Sequence, residues 1–218
     1  MKSKASTEAS LVFSYLTLRK AIGWLGTTLP FVLCLGAAVL FGKGIQSSIS
    51  YYYHTGMRDV FVGTLFAIGF FLLSYQGYER ADHIAGNLAC LFAVGVALFP
   101  TVKDAGAVGT ERIIGSVHAG FAALFFGTLT YFSLVLFTKT NPRKKPTRRK
   151  LQRNMVYRAC GAIMAACILL AAVYAVLPAE SQARLSAYTP IYWLEATAIL
   201  VFGISWLTKG EAILKDEG

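Results

Sequence analysis

Three ionisable residues stand where apolar stretches begin: Asp59, His118 and Glu195. His54 and Arg58 precede the first of them, with Tyr53 alongside. An acidic residue at the centre of a membrane helix costs roughly 2.5–3.5 kcal/mol. Glu195 should therefore face the inside of a bundle and find a partner. Arg58 and His118 are the cations expected at its depth, which gathers Arg58, Asp59, His118, Glu195 and Tyr53 into one polar pocket. Three chemistries fit such a set. It could be a buried polar clamp that fixes helix register. It could be a metal site, with zinc held by His54, His118 and Asp59 and Glu195 serving as base or fourth ligand, as in a membrane hydrolase acting on a lipid. Or it could be a protonation or ion site in a small proton- or ion-coupled carrier. The preferred reading has no metal and assigns no catalytic residue.

The elements that must position these residues follow from composition. The 218 residues are 56% hydrophobic and 15% charged, with mean hydropathy +0.55. Soluble domains are nearer 45–50% apolar and about 25% charged. The apolar residues form blocks at about 21–42, 60–78, 84–101, 117–138, 159–178 and 191–207. Blocks of this length match a hydrocarbon layer roughly 30 Å thick at about 1.5 Å per residue. The fold class is therefore all-α, a polytopic bundle of six transmembrane helices. Residues 1–20 make an N-terminal arm, 21–208 the membrane domain and 209–218 a tail. Part of the arm, 11–16, could lie along the interface as an amphipathic helix. Cys34, Cys90, Cys160 and Cys167 all fall inside apolar blocks, which predicts neither disulfides nor a redox site.

Six spans place both termini on one side. If that side is the cytoplasm, it holds Lys2, Lys4, Arg19, Lys20, Arg80, the basic residues of 139–158, Lys209 and Lys215. That is sixteen of the 21 Lys and Arg, and the other face keeps Lys43, Arg58, Lys103, Arg112 and Arg184. The excess predicts both termini inside. The loop from Lys139 to Arg153 carries most of the +10 formal charge. Beside a membrane helix such a run stops translocation and meets anionic lipid headgroups, at roughly 1 kcal/mol per basic residue. No nucleic-acid partner is read from it.

Several local expectations accompany this scheme. Tyr51, Tyr52 and Tyr53 suit a membrane–water interface, and loop 43–59 should fold onto the bundle because Ile45 and Ile49 are apolar. Asp82 should cap a helix beginning at His83, and Asn87 should bond another helix. The stretch 102–116, with Gly106 and Gly109, reads as a loop. Pro30 should bend the first span.

Ser50-x-x-x-His54 followed by Asp59 resembles part of the motif set of the alkaline ceramidase and progestin-receptor membrane hydrolases. That resemblance implies seven spans and a zinc site completed by a late His-x-x-x-His. This chain has three histidines, none at that spacing, and six apolar blocks. More of the chain is similar to uncharacterised bacterial six-span membrane proteins, through the segment Tyr51–Gly63, through 96–101, through Trp193-Leu194-Glu195 and through 202–207. Six spans with a long first outer loop also resemble the architecture of the Frag/DRAM/Sfk group. These resemblances imply a bacterial inner-membrane protein doing lipid-related work at the outer leaflet, with no established reaction. The reading that results is a multi-pass membrane protein whose polar pocket binds a lipid headgroup or small ion.

Overall fold

A computed structural model describes residues 2–75, 77, 79–103, 106–140 and 145–215, with the side chains of 2–14 outside that description. Every element found is helical: α1 (Lys2–Phe41), a 3₁₀ turn (Ser50–His54), α2 (Arg58–Leu73), α3 (Arg80–Leu98), α4 (Gly109–Tyr131), α5 (Arg148–Ala175), α6 (Ala179–Ser186) and α7 (Pro190–Lys209). A π turn, Phe132–Leu136, extends α4. The long helices form a closed ring. Each packs on its chain neighbour, and α7 returns to lie between α5 and α1. The outer faces carry large apolar side chains in the open, such as Val39, Leu40, Leu91 and Leu169. Apolar surface on this scale is stable in lipid and not in water.

Five helical stretches are long and apolar enough to cross a membrane: Tyr15–Phe41, Arg80–Leu98, Gly109–Leu136, Arg148–Ala175 and Pro190–Lys209. The expected sixth corresponds to α2, which has 16 residues. At 1.5 Å per residue it reaches about 24 Å, short of a layer roughly 30 Å thick. The second block was expected to run to Tyr78. That residue lies outside the described set, and the helix ends at Leu73.

Helix starts also differ from the apolar blocks, because polar first turns carry no hydropathy signal. α3 begins at Arg80, with Glu79 as its N-cap. Asp82 is consequently not the cap. It sits at the third helical position and its Oδ2 accepts the Glu79 amide at 3.1 Å, the reach-back bond of a capping box. α4 begins at Gly109, whose φ of +59° suits glycine, so 109–116 is helix where a loop was expected. α1 runs without a break from Lys2, past Pro30 to Phe41, so the arm is helix continuous with the first span. Asn87 lies on an exposed face of α3.

Inside the ring, α1 and α7 approach closely. A Cβ on Gly203 would lie 2.7 Å from the Gly23 carbonyl oxygen, so only glycine allows this crossing. Ser133 and Ser205, both fully buried, share a 2.8 Å hydrogen bond between α7 and the π turn. The bundle thus has two ends. One, which we term the tyrosine end, holds 42–57, 99–103, 106–108 and 176–189. The other, the basic end, holds the start of the membrane part of α1, residues 74, 75, 77, 79, 137–140 and 145–147, and 210–215.

Candidate functional site

The tyrosine end is organised by the stretch between α1 and α2. Ile49 and Tyr52 are buried at 2% and 0% exposure, and Met57 is buried beside Gly36 of α1. The loop therefore folds onto the bundle, although Ile45 stays exposed. Its 3₁₀ turn starts with backbone N–H groups that no earlier turn can accept. Glu195, half-buried on α7, supplies the acceptor. Its Oε2 takes the Ile49 amide at 2.7 Å and the Ser50 amide at 3.3 Å. These amide dipoles do the work expected of Arg58 or His118, and neither cation is bonded to Glu195 among the described residues.

Tyr52 and Tyr192, the latter one turn before Glu195 on α7, bring their rings to 6.4 Å. Cys34 of α1 adjoins both hydroxyls. Burial pushes the Tyr52 phenol up to about 12, with Cys34 adding to the shift, so it remains a neutral hydroxyl at physiological pH. Glu195 itself is met by the two neutral amides.

The two histidines hold one segment. His54 Nε2 pairs with the Thr101 carbonyl at 2.8 Å, and His118 Nδ1 with the Phe99 carbonyl at 2.6 Å. Together they tie the end of α3 to the first loop and to α4. His118 is buried, and it lies nine residues into α4 rather than at its start. The His54 ring stands edge-on to Tyr51 and Tyr53 at 5.3 and 5.4 Å. Arg58 donates to the Tyr53 hydroxyl at 2.8 Å and covers that ring at 4.4 Å. Asp59 is exposed in the first turn of α2, where a carboxylate suits the helix dipole.

Of the residues expected in one pocket, the bonds join Tyr53 to Arg58. They place Glu195 with Ile49 and Ser50, and each histidine with a carbonyl. No three His, Cys, Asp or Glu among the described residues gather closely enough to hold a metal ion. The set of His54, His118 and Asp59 is therefore not assembled as a zinc site, and both histidines already bond carbonyls.

Sequence reading missed a second constellation at the basic end. Arg19 of α1 lies 4.3 Å over the Tyr15 ring and 5.6 Å from that of Tyr75. Lys209 of α7 lies 5.1 Å over Phe137. Lys150 of α5 donates to the Phe137 carbonyl at 2.8 Å and stands 5.8 Å from the Tyr157 ring. Arg153 of α5, 8% exposed, is 3.5 Å from Glu211. Lys209 is within electrostatic reach of Arg19, Lys150, Arg153 and Asp82. Beneath them Tyr75, Phe132, Phe137 and Trp206 pack edge to face, with Trp206 5.0 Å from Phe137 and 5.2 Å from Tyr75. The available signal was that Arg19, 148–153 and Lys209 all fall at one end of the spans, next to aromatic residues. No family model, curated protein or solved structure matches the chain.

Proposed function

We propose that the chain is a six-span protein of a bacterial cytoplasmic membrane, with both termini inside, that binds a lipid headgroup or small ion at the outer leaflet through the site around Glu195. No catalysis is claimed. Five apolar helices support the multi-pass part. α2 is the sixth span in this reading because it stands in the ring between α1 and α3, and flanking turns at Ser50–His54 and Ser74 extend its reach. The basic excess at one end supports the orientation. One observation carries the ligand. A half-buried carboxylate is bonded only by neutral amides among the described residues, and both bonds go to one oxygen. Its negative charge is met by dipoles alone, which favours a cationic guest: a small monovalent cation or the ammonium of a headgroup.

Thermal stability in neutral detergent tests the site. Sodium, potassium and phosphatidylethanolamine are added in turn at constant ionic strength. A guest at 100 times its Kd stabilises by about 2.7 kcal/mol, and Glu195→Gln should abolish that response. An equal response in Glu195→Gln places the binding elsewhere. Cysteine labelling tests the orientation. Ser48→Cys and Gly106→Cys should react in intact cells, and Lys145→Cys only after permeabilisation. Outside labelling of Lys145→Cys reverses the topology.

A further inference from the structure

We propose that residues 43–56 form a hinged lid over the tyrosine end, latched shut by Glu195, whose opening admits solutes from water to the core beside Cys34. This goes beyond the guest proposed for Glu195 and holds whatever that guest is.

The segment is built as a unit. Tyr51 donates its amide to Ser48 Oγ at 2.9 Å, Tyr52 to the Ile49 carbonyl at 3.2 Å and Thr55 to the Tyr52 carbonyl at 3.1 Å. Thr55 Oγ1 also donates to that carbonyl at 2.8 Å and accepts the Met57 amide at 3.1 Å. Bonds this local survive when the segment moves as one piece. One end carries a hinge. Gly42 has a φ of +58°, and nothing lies within 4 Å of the place a Cβ would take on Gly42 or Gly44. The backbone there can rotate without collision. The other end is an anchor, where Met57 packs on Gly36 and the Phe41 ring covers Gly56.

Few bonds hold the unit down. Among the described residues, those that tie it to later parts of the chain run to Glu195, Thr101 and Lys103. His54 pairs with the Thr101 carbonyl, and the Tyr51 hydroxyl donates to the Lys103 carbonyl at 3.3 Å. Only the Ile49 and Ser50 amides reach α7, and there the acceptor is a carboxylate, stronger than a neutral carbonyl. Removing one side chain thus releases the lid from α7 while its own turns stay intact. Short segments hinged in this way open and close over packed scaffolds. Beneath it the fully buried Tyr52 ring lies 6.4 Å from that of Tyr192, with Cys34 of α1 beside the Tyr52 hydroxyl. Lifting the segment carries Tyr52 away and uncovers the Cys34 thiol.

Cys34 therefore reports the lid. The full chain in neutral detergent is treated with sulfonatoethyl methanethiosulfonate, an anionic thiol reagent that stays in water, and peptide mass spectrometry follows each cysteine. Glu195→Ala should raise the rate at Cys34 roughly 30-fold, the loss of a charged acceptor from two amides expressed as an opening equilibrium. Glu195→Gln should raise it less, because its carbonyl still accepts. Cys90, Cys160 and Cys167, buried elsewhere in the bundle, should keep their wild-type rates. An unchanged rate at Cys34 in Glu195→Ala overturns the proposal. So does a rise shared by all the cysteines, which is loosening of the whole bundle. If Glu195→Ala does not fold, Glu195→Gln decides: a rise confined to Cys34 supports the lid, and any other result overturns it. None of these outcomes depends on a response to sodium, potassium or phosphatidylethanolamine, so the guest can fail while the lid stands.

Discussion

The two ends of the ring use ionisable side chains in opposite ways. At the tyrosine end, Glu195, His54 and His118 are each absorbed by backbone amides or carbonyls, and each fastens a loop to a helix. At the basic end, Arg19 and Lys209 rest on aromatic rings and Arg153 pairs with Glu211, so these cations are held by side chains. Backbone partners make a charged group a fastener of loops, whereas aromatic seats hold it against neighbouring side chains. A change at either histidine of the first end should therefore act on stability alone, and one at Glu195 on stability and on the proposed guest together.

The aromatic floor is the exception at the basic end, and its loss should produce the largest effect. Trp206 is fully buried against Tyr75, Phe132 and Phe137. Trp206→Ala should cost about 3–5 kcal/mol of stability, read as a fall in Tm in detergent. A small fall would mean that the cations above it do not depend on this packing. Next comes Glu195→Ala, at about 2 kcal/mol for the loss of a charged acceptor from two amides. Hydrogen exchange at Ile49 and Ser50 should quicken with it. Glu195→Gln should lose less, because its carbonyl still accepts. If exchange at those amides does not change, the carboxylate is no fastener and the contrast between the ends fails.

His118→Leu removes one bond to the Phe99 carbonyl and should cost about 1 kcal/mol. Circular dichroism melts would detect it. The smallest effect belongs to Lys139, which pairs with Glu79 at 2.9 Å on an exposed surface. Lys139→Gln should shift stability by about 0.5 kcal/mol or less, and molar salt should erase the difference. The Glu79 hydrogen bond raises the lysine pKa above its ordinary 10.5. The small contribution is thus complete below pH 10.5 and is lost as pH climbs through the higher folded value.

The apolar blocks made the long helices and their order legible, because a membrane-length run of apolar residues has few other solutions. Helix starts were hidden wherever the first turn is polar. Gly109–Ser116, Arg80–His83 and all of α6 are of this kind. The importance of Glu195 was legible from the cost of burying it. Its partners were not, since a sequence displays side-chain charges and conceals which amides a turn leaves unpaired. Arg58 was assigned to Glu195 on depth, yet Tyr53, five residues away on the same turn of chain, satisfies it. The basic end was read only as net charge, because nothing in linear order shows Arg19, Lys150 and Lys209 meeting over one aromatic floor.

The close crossing at Gly203 joins the first long helix to the last, and this sets the order of events during synthesis. Roughly 150 residues separate the end of α1 from the start of α7, about 8–30 s of translation. Throughout that interval the groove at Gly23 faces lipid, and no earlier helix fills it as α7 does. Completion of the bundle therefore waits for residues near 203. Synthesis arrested before Pro190 should leave the preceding helices inserted but unlocked, a target for membrane quality control.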